Sequence, residues 1–153
     1  MCIPYPMELL EYSPWETVIK LIEKDCDHPL SCEQCELIAV DVLEPARIEV
    51  CVGIKNTEGI QKHLPPTTQC FLLLERLDIQ EHLLPYQPQY PGPYYKNTHE
   101  IIIDCRQQLD ELYLTIDDFE LEDIPVNAKE WTLRAKVDSL RWYGESVIHF
   151  PRS

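Results

Sequence analysis

The chain has 153 residues, 44% of them hydrophobic and 26% charged, with a formal net charge of −14 at pH 7. That length suits one domain that folds without a metal or a disulfide, and aliphatic residues spread throughout exclude disorder over the whole length. The negative field opposes direct nucleic acid binding and anionic membranes and favours a protein with a basic surface.

The count of seven cysteines is odd, so internal disulfides alone leave one thiol over. Neither a signal-like start nor an apolar run long enough for a bilayer is present. The sequence therefore predicts a cytoplasmic or nuclear protein with reduced thiols.

Met1 to Tyr12 reads as an extended arm, kept so at its start by Pro4 and Pro6, with Met7, Leu9, Leu10 and Tyr12 able to pack. A helix follows. Ser13 suits the N-cap, Pro14 the first helical position and Glu16 the third, which makes a capping box. Trp15, Val18, Ile19 and Ile22 form an apolar face that should end near Glu23 to Asp25. Ser31 and Gln34 repeat the capping pattern, and Cys35, Ile38, Val42 and Leu43 suggest a second helix stopped by Pro45. Ile48, Val50 and Val52 alternate with polar neighbours and predict a strand. A turn at Asn56–Gly59 and a helical turn at Ile60–His63 follow. Thr67–Leu77 reads as a central strand, and Asp78–Leu84 as a short helix.

Pro85–Tyr95, PYQPQYPGPYY, holds four prolines and four tyrosines. It cannot be a central strand, because proline donates no hydrogen bond. It is either a connector between 1–84 and 96–153 or a long loop packed down by its tyrosines. Beyond it, Ile101, Ile102 and Ile103 suggest a buried strand, and Leu112, Leu114 and Ile116 a half-buried one. Asn127 and Glu130 then suit a helix start. Leu133, Val137 and Leu140 continue a helical stripe, while Trp131, Leu133, Ala135 and Val137 also alternate strictly. The cap favours a helix over 128–142, and the alternation would make a strand. Val147 and Ile148 predict a last strand.

These elements predict an α+β fold over 1–153. An N-terminal helix pair packs on an antiparallel or mixed sheet built from Ile48–Val52, Gln69–Leu74, Glu100–Asp104 and Glu111–Asp117, and a late C-terminal helix covers it.

Chemistry is sparse. Cys26, His28, Cys32 and Cys35 hold zinc-ligand types, and four such ligands would close a tetrahedral site. Yet only one residue separates Cys26 from His28, and Cys35 falls on an apolar face. The expectation is no structural zinc and no cofactor. No nucleophile elbow, phosphate loop or zinc-protease motif occurs, so no catalytic residue is assigned.

The strongest pattern is acidic. From Asp104 to Glu130 nine carboxylates face only Arg106 and Lys129. Asp110, Glu111, Tyr113, Asp117, Asp118, Phe119, Glu120, Glu122 and Asp123, with Tyr94 and Tyr95, are the expected partner-binding set. Charge would steer a basic partner and the aromatics would anchor it. The sequence thus predicts a non-enzymatic inhibitory or accessory protein, with a zinc-stabilised regulatory protein as the rival reading.

Overall fold

The computed structural model describes residues 2–26, 29–55, 67–112 and 114–151. The architecture is mixed α/β, with several helices and a four-stranded sheet. It forms two compact units, Met1–Arg76 and Leu77–Ser153.

The first unit is a mixed sheet with one helix. Strand β1, Ile3–Pro4, lies parallel to β4, Thr67–Glu75. Strand β3, Arg47–Lys55, pairs antiparallel with β4 and with β2, Cys35–Glu44, which gives the order β1-β4-β3-β2. Ile48, Val50 and Val52 face Leu74, Leu72 and Cys70 across the β3–β4 ladder. The valines, Ile48 and Leu74 are wholly buried. Helix α1, Pro14–Cys26, adds Val18, Ile19 and Ile22 to the buried set. Its start follows the sequence: the Glu16 N–H donates to Ser13 Oγ at 3.2 Å.

The expected partner of α1, a helix over 31–43, is strand β2 instead. Ser31 and Gln34 do make half of a capping box, since the Ser31 N–H donates to Gln34 Oε1 at 3.1 Å. That bond closes a turn and the chain leaves it extended. A register shift between Leu37 and Ala39 explains the misleading pattern. Cys35 and Leu37, then Val40 and Val42, oppose the inward residues of β3. The extra residue breaks the alternation of two and leaves spacings that resemble a helical stripe.

The second unit begins with β5, Leu77–Asp78, and α2, Ile79–His82, capped by Asp78, whose Oδ1 accepts from the Gln80 N–H at 3.0 Å. Helix α3 spans Thr98–Gln108. Strands β6, Glu130–Arg134, and β8, Glu145–His149, form an antiparallel pair, and β7, Trp142–Tyr143, lies parallel to β5. Gly144 turns the chain from β7 into β8 with φ of +86°, a conformation that favours glycine.

Three expectations fail here. Glu100–Asp104 is not a strand but the body of α3. Asn97 Oδ1 accepts from the Glu100 N–H at 3.2 Å, and Glu100 Oε2 accepts from the Lys96 N–H at 2.8 Å. That cap overrides the β-branched run, which then splits by helical spacing: Ile101, Ile102 and Cys105 go inward and Ile103 outward. Glu111–Asp117 is not a strand either. It holds two single 3₁₀ turns, Asp110–Leu112 and Ile116–Asp118. The late helix over 128–142 is absent. Its first part is β6, where Trp131 and Leu133 point inward and Glu130 and Arg134 outward, and a turn closed by the Ser139 N–H on Lys136 O ends the stripe. The alternation was the true signal.

The strands over 48–52 and 69–74, the short helix after Asp78 and the final strand follow the sequence. The turn and helical turn expected over 56–63 lie outside the described residues, as do Tyr113 and His28. Among the described residues no helix is long and apolar enough to cross a membrane.

Candidate functional site

Helix α3 holds the Pro/Tyr-rich segment in place through one carboxylate. Asp104 is buried, and its Oδ2 accepts from the Tyr86 hydroxyl at 2.8 Å, the Tyr95 hydroxyl at 3.0 Å, the Gln89 N–H at 3.3 Å and the Gln108 amide at 3.4 Å. One turn later Gln108 donates to Gln87 O at 2.7 Å. The segment is therefore tied at several points to one helix face. A buried carboxylate requires such donors, because an unpaired one would be costly.

Burial and the neighbouring Cys105 and Asp104 push the Tyr86 hydroxyl far above the usual tyrosine range. Burial likewise pushes Tyr95 up to about 12, opposed by the Tyr90 N–H that it accepts. The Cys105 thiol is also raised, chiefly by burial, which keeps it protonated.

Close packing completes the hold. A side chain on Gly92 would place its Cβ 2.5 Å from the Ala128 carbonyl oxygen, so only glycine fits. Tyr95 stacks on Phe150, with centroids 5.6 Å apart. What the segment turns outward is Tyr90 and Tyr94, stacked at 4.1 Å and well exposed. With Pro93, Lys96, Glu100 and Ile103 they line a shallow groove of 590 Å³.

The acidic stretch runs beside the same segment. Thr98 and Glu122 exchange hydrogen bonds: Thr98 Oγ1 donates to Glu122 O at 3.2 Å and accepts from the Glu122 N–H at 2.9 Å. The Ile124 N–H donates to Lys96 O at 2.8 Å, and Asn97 forms an antiparallel bridge with Asp123. The residues that end the tyrosine segment thus hold the acidic one.

No family model, curated protein or solved structure matches this chain.

Of the expected set, Asp110, Glu111, Asp117, Glu120, Glu122, Asp123 and Tyr94 are exposed. Glu122 shares Arg134 with Glu145, at 3.5 and 3.2 Å. Asp118, Phe119 and Tyr95 lie inside. Asp118 accepts from Thr115 Oγ1 at 2.7 Å and Ser139 Oγ at 3.0 Å, so it fastens two turns together. Ile103, expected in a buried strand, instead joins Tyr90 and Tyr94 at the surface. The Asn97/Glu100 capping pattern could have revealed Ile103, because a helix there sends one of the three isoleucines outward.

Among the described residues no cluster of His, Cys, Asp or Glu could hold a metal. Cys32 is exposed and Cys35 is buried at the start of β2. His28 and the Cys26 side chain, which would complete the zinc set, fall outside the described residues.

Proposed function

We propose that the chain is a non-enzymatic binding protein, inhibitory or accessory in role, that takes a basic segment of a protein partner on the second unit. The reading rests on one observation: residues 96–98, which follow the exposed Tyr90–Tyr94 stack in the chain, hold the exposed carboxylates Glu122 and Asp123, with exposed Glu120 close by in sequence. Stacked tyrosines offer apolar area and π faces that suit Arg and Lys side chains. Carboxylates beside them speed encounter with a basic surface and penalise an acidic one. A cytoplasmic or nuclear partner suits the reduced thiols expected from the sequence.

Affinity capture from the native cell, followed by mass spectrometry, identifies the partner, and stopped-flow kinetics then separates the roles. Glu120→Lys with Asp123→Lys should slow association and flatten its salt dependence. Tyr94→Ala should mainly hasten dissociation. A partner that associates with and leaves both variants at wild-type rates would place the interface elsewhere.

A further inference from the structure

The first unit carries an interaction surface of a different kind. Strand β2 is ten residues long and terminal in its sheet, and β3 is its only strand neighbour among the described residues. Between Cys35 and Glu44 only Cys35 is buried and only Val40 is half-buried. An open edge presents a row of backbone N–H and C=O groups, which proteins usually blunt with charged side chains, proline, a bulge or a very short strand. Strand β2 contains neither lysine nor proline: its charges, Glu36, Asp41 and Glu44, are all acidic, and its register shifts at Leu37/Ala39 and Val42/Glu44 leave Ala39–Val42 as a regular run between them.

Its two faces differ. Leu37, Val40 and Val42 oppose Val52, Val50 and Ile48, so they continue the inward face of the sheet. The three β3 residues are fully buried, yet Leu37 and Val42 remain 43% and 40% exposed. Cover over that face stops at β2. Glu36, Asp41 and Glu44 oppose Gly53, Glu49 and Arg47 on the other face. Among the described residues only the Arg47–Glu44 contact, at 3.8 Å and exposed, offsets these three acids.

We propose that β2 is a docking edge that accepts an extended segment of a partner protein as a fifth strand. The segment places apolar residues beside Leu37, Val40 and Val42, and Lys or Arg beside Glu36 and Asp41. A second copy of this chain is the poorer occupant by charge. Antiparallel pairing centred on Val40 sets Glu36 against Glu44, and centring on Asp41 sets that residue against itself. Like charges directly opposite destabilise a ladder, and each copy carries a net charge of −14. The proposal does not depend on the acidic surface of the second unit.

The probe is a labelled ten-residue peptide of alternating Lys and Val, and a second peptide with the same side chains carries N-methyl groups on every other amide. Both are titrated against the full chain by fluorescence anisotropy, with amide hydrogen exchange read in parallel. The plain peptide should bind and slow exchange within Glu36–Glu44. The N-methylated one, which cannot complete the ladder, should bind at least about tenfold more weakly. Glu36→Lys with Asp41→Lys should produce a loss of similar size, and an unchanged circular dichroism spectrum shows that the fold persists.

Equal binding of the two peptides means adsorption by charge alone and overturns the proposal. Protection confined to residues 110–123 overturns it as well, while leaving the reading of the second unit intact. Protection of β2 that rises with protein concentration in the absence of peptide assigns the edge to a second copy and overturns it too.

Discussion

Tyr86 donates its hydroxyl proton to Asp104 at 2.8 Å, with both side chains buried. The bond joins an aromatic of the Pro/Tyr-rich segment to the helix that the segment lies on. Asp104→Ala would strand the Tyr86 and Tyr95 hydroxyls and should cost about 2–4 kcal/mol, because buried donors lose a charged acceptor. Tyr86→Phe removes one of several donors and should cost about 1–2 kcal/mol. Urea denaturation measures both. Equal losses would mean that Asp104 does not act as the shared acceptor.

The same network makes the fold alkali-sensitive. Tyr95 rises from 10.0 to about 12, and Tyr86 rises further. Between pH 10 and 12 the unfolded chain has released these protons and the folded chain still holds them. The unfolded state then binds fewer protons, so stability falls as pH increases across that window. Tyr95→Phe should flatten the decline. Tyrosinate absorbance during an alkaline titration should show two hydroxyls ionising only as circular dichroism is lost. Full tyrosine ionisation within a native spectrum would refute this.

Asp118 behaves oppositely to a surface carboxylate. Burial raises its pKa above 3.8, although the Thr115 and Ser139 hydroxyls and the Arg141 charge pull it down. A folded value above the unfolded one means that protonation favours the folded state. The stability from this group is full below the unfolded pKa and is lost as pH rises through the folded value. Asp118→Asn keeps the shape without the charge. Its stability relative to wild type should improve from pH 3 towards neutrality, as read from thermal midpoints. A difference constant with pH would show that the carboxylate is not strained by burial.

Trp131 lies inward on β6 opposite Ile148. Trp131→Ala should cost about 3–5 kcal/mol through lost burial and the cavity left behind. A denaturant midpoint equal to that of wild type would show that the site bears no packing.

Local signals were legible where one signal stood alone. Ser13, Pro14 and Glu16 marked α1, and the alternation at Ile48–Val52 marked β3. They misled where two competed. The isoleucines at 101–103 have strong β preference, but the Asn97 cap and the inward spacing of Ile101, Ile102 and Cys105 prevailed. In β2 a bulge erased the alternation that would have revealed a strand. Leu112, Leu114 and Ile116 recur at period two, yet 110–112 and 116–118 are short turns, where such recurrence carries no ladder. The acidic composition of 110–123 was plain from the sequence. Which acids face water was not, because burial of Asp118 depends on Ser139, 21 residues away.

The Asn97 cap has a consequence for mapping experiments. Asn97 orders the start of α3, while its neighbours Lys96 and Thr98 clasp the chain at Ile124 and Glu122. Asn97→Ala removes the side chain that caps α3 and should therefore loosen the tyrosine stack and the carboxylates together. An alanine scan scored by binding will rank Asn97 and Thr98 with the contact residues. Pairing each with Tyr94→Ala and with Glu120→Lys in double-mutant cycles distinguishes them, since a residue that acts by holding the others shows non-additive losses with members of both groups.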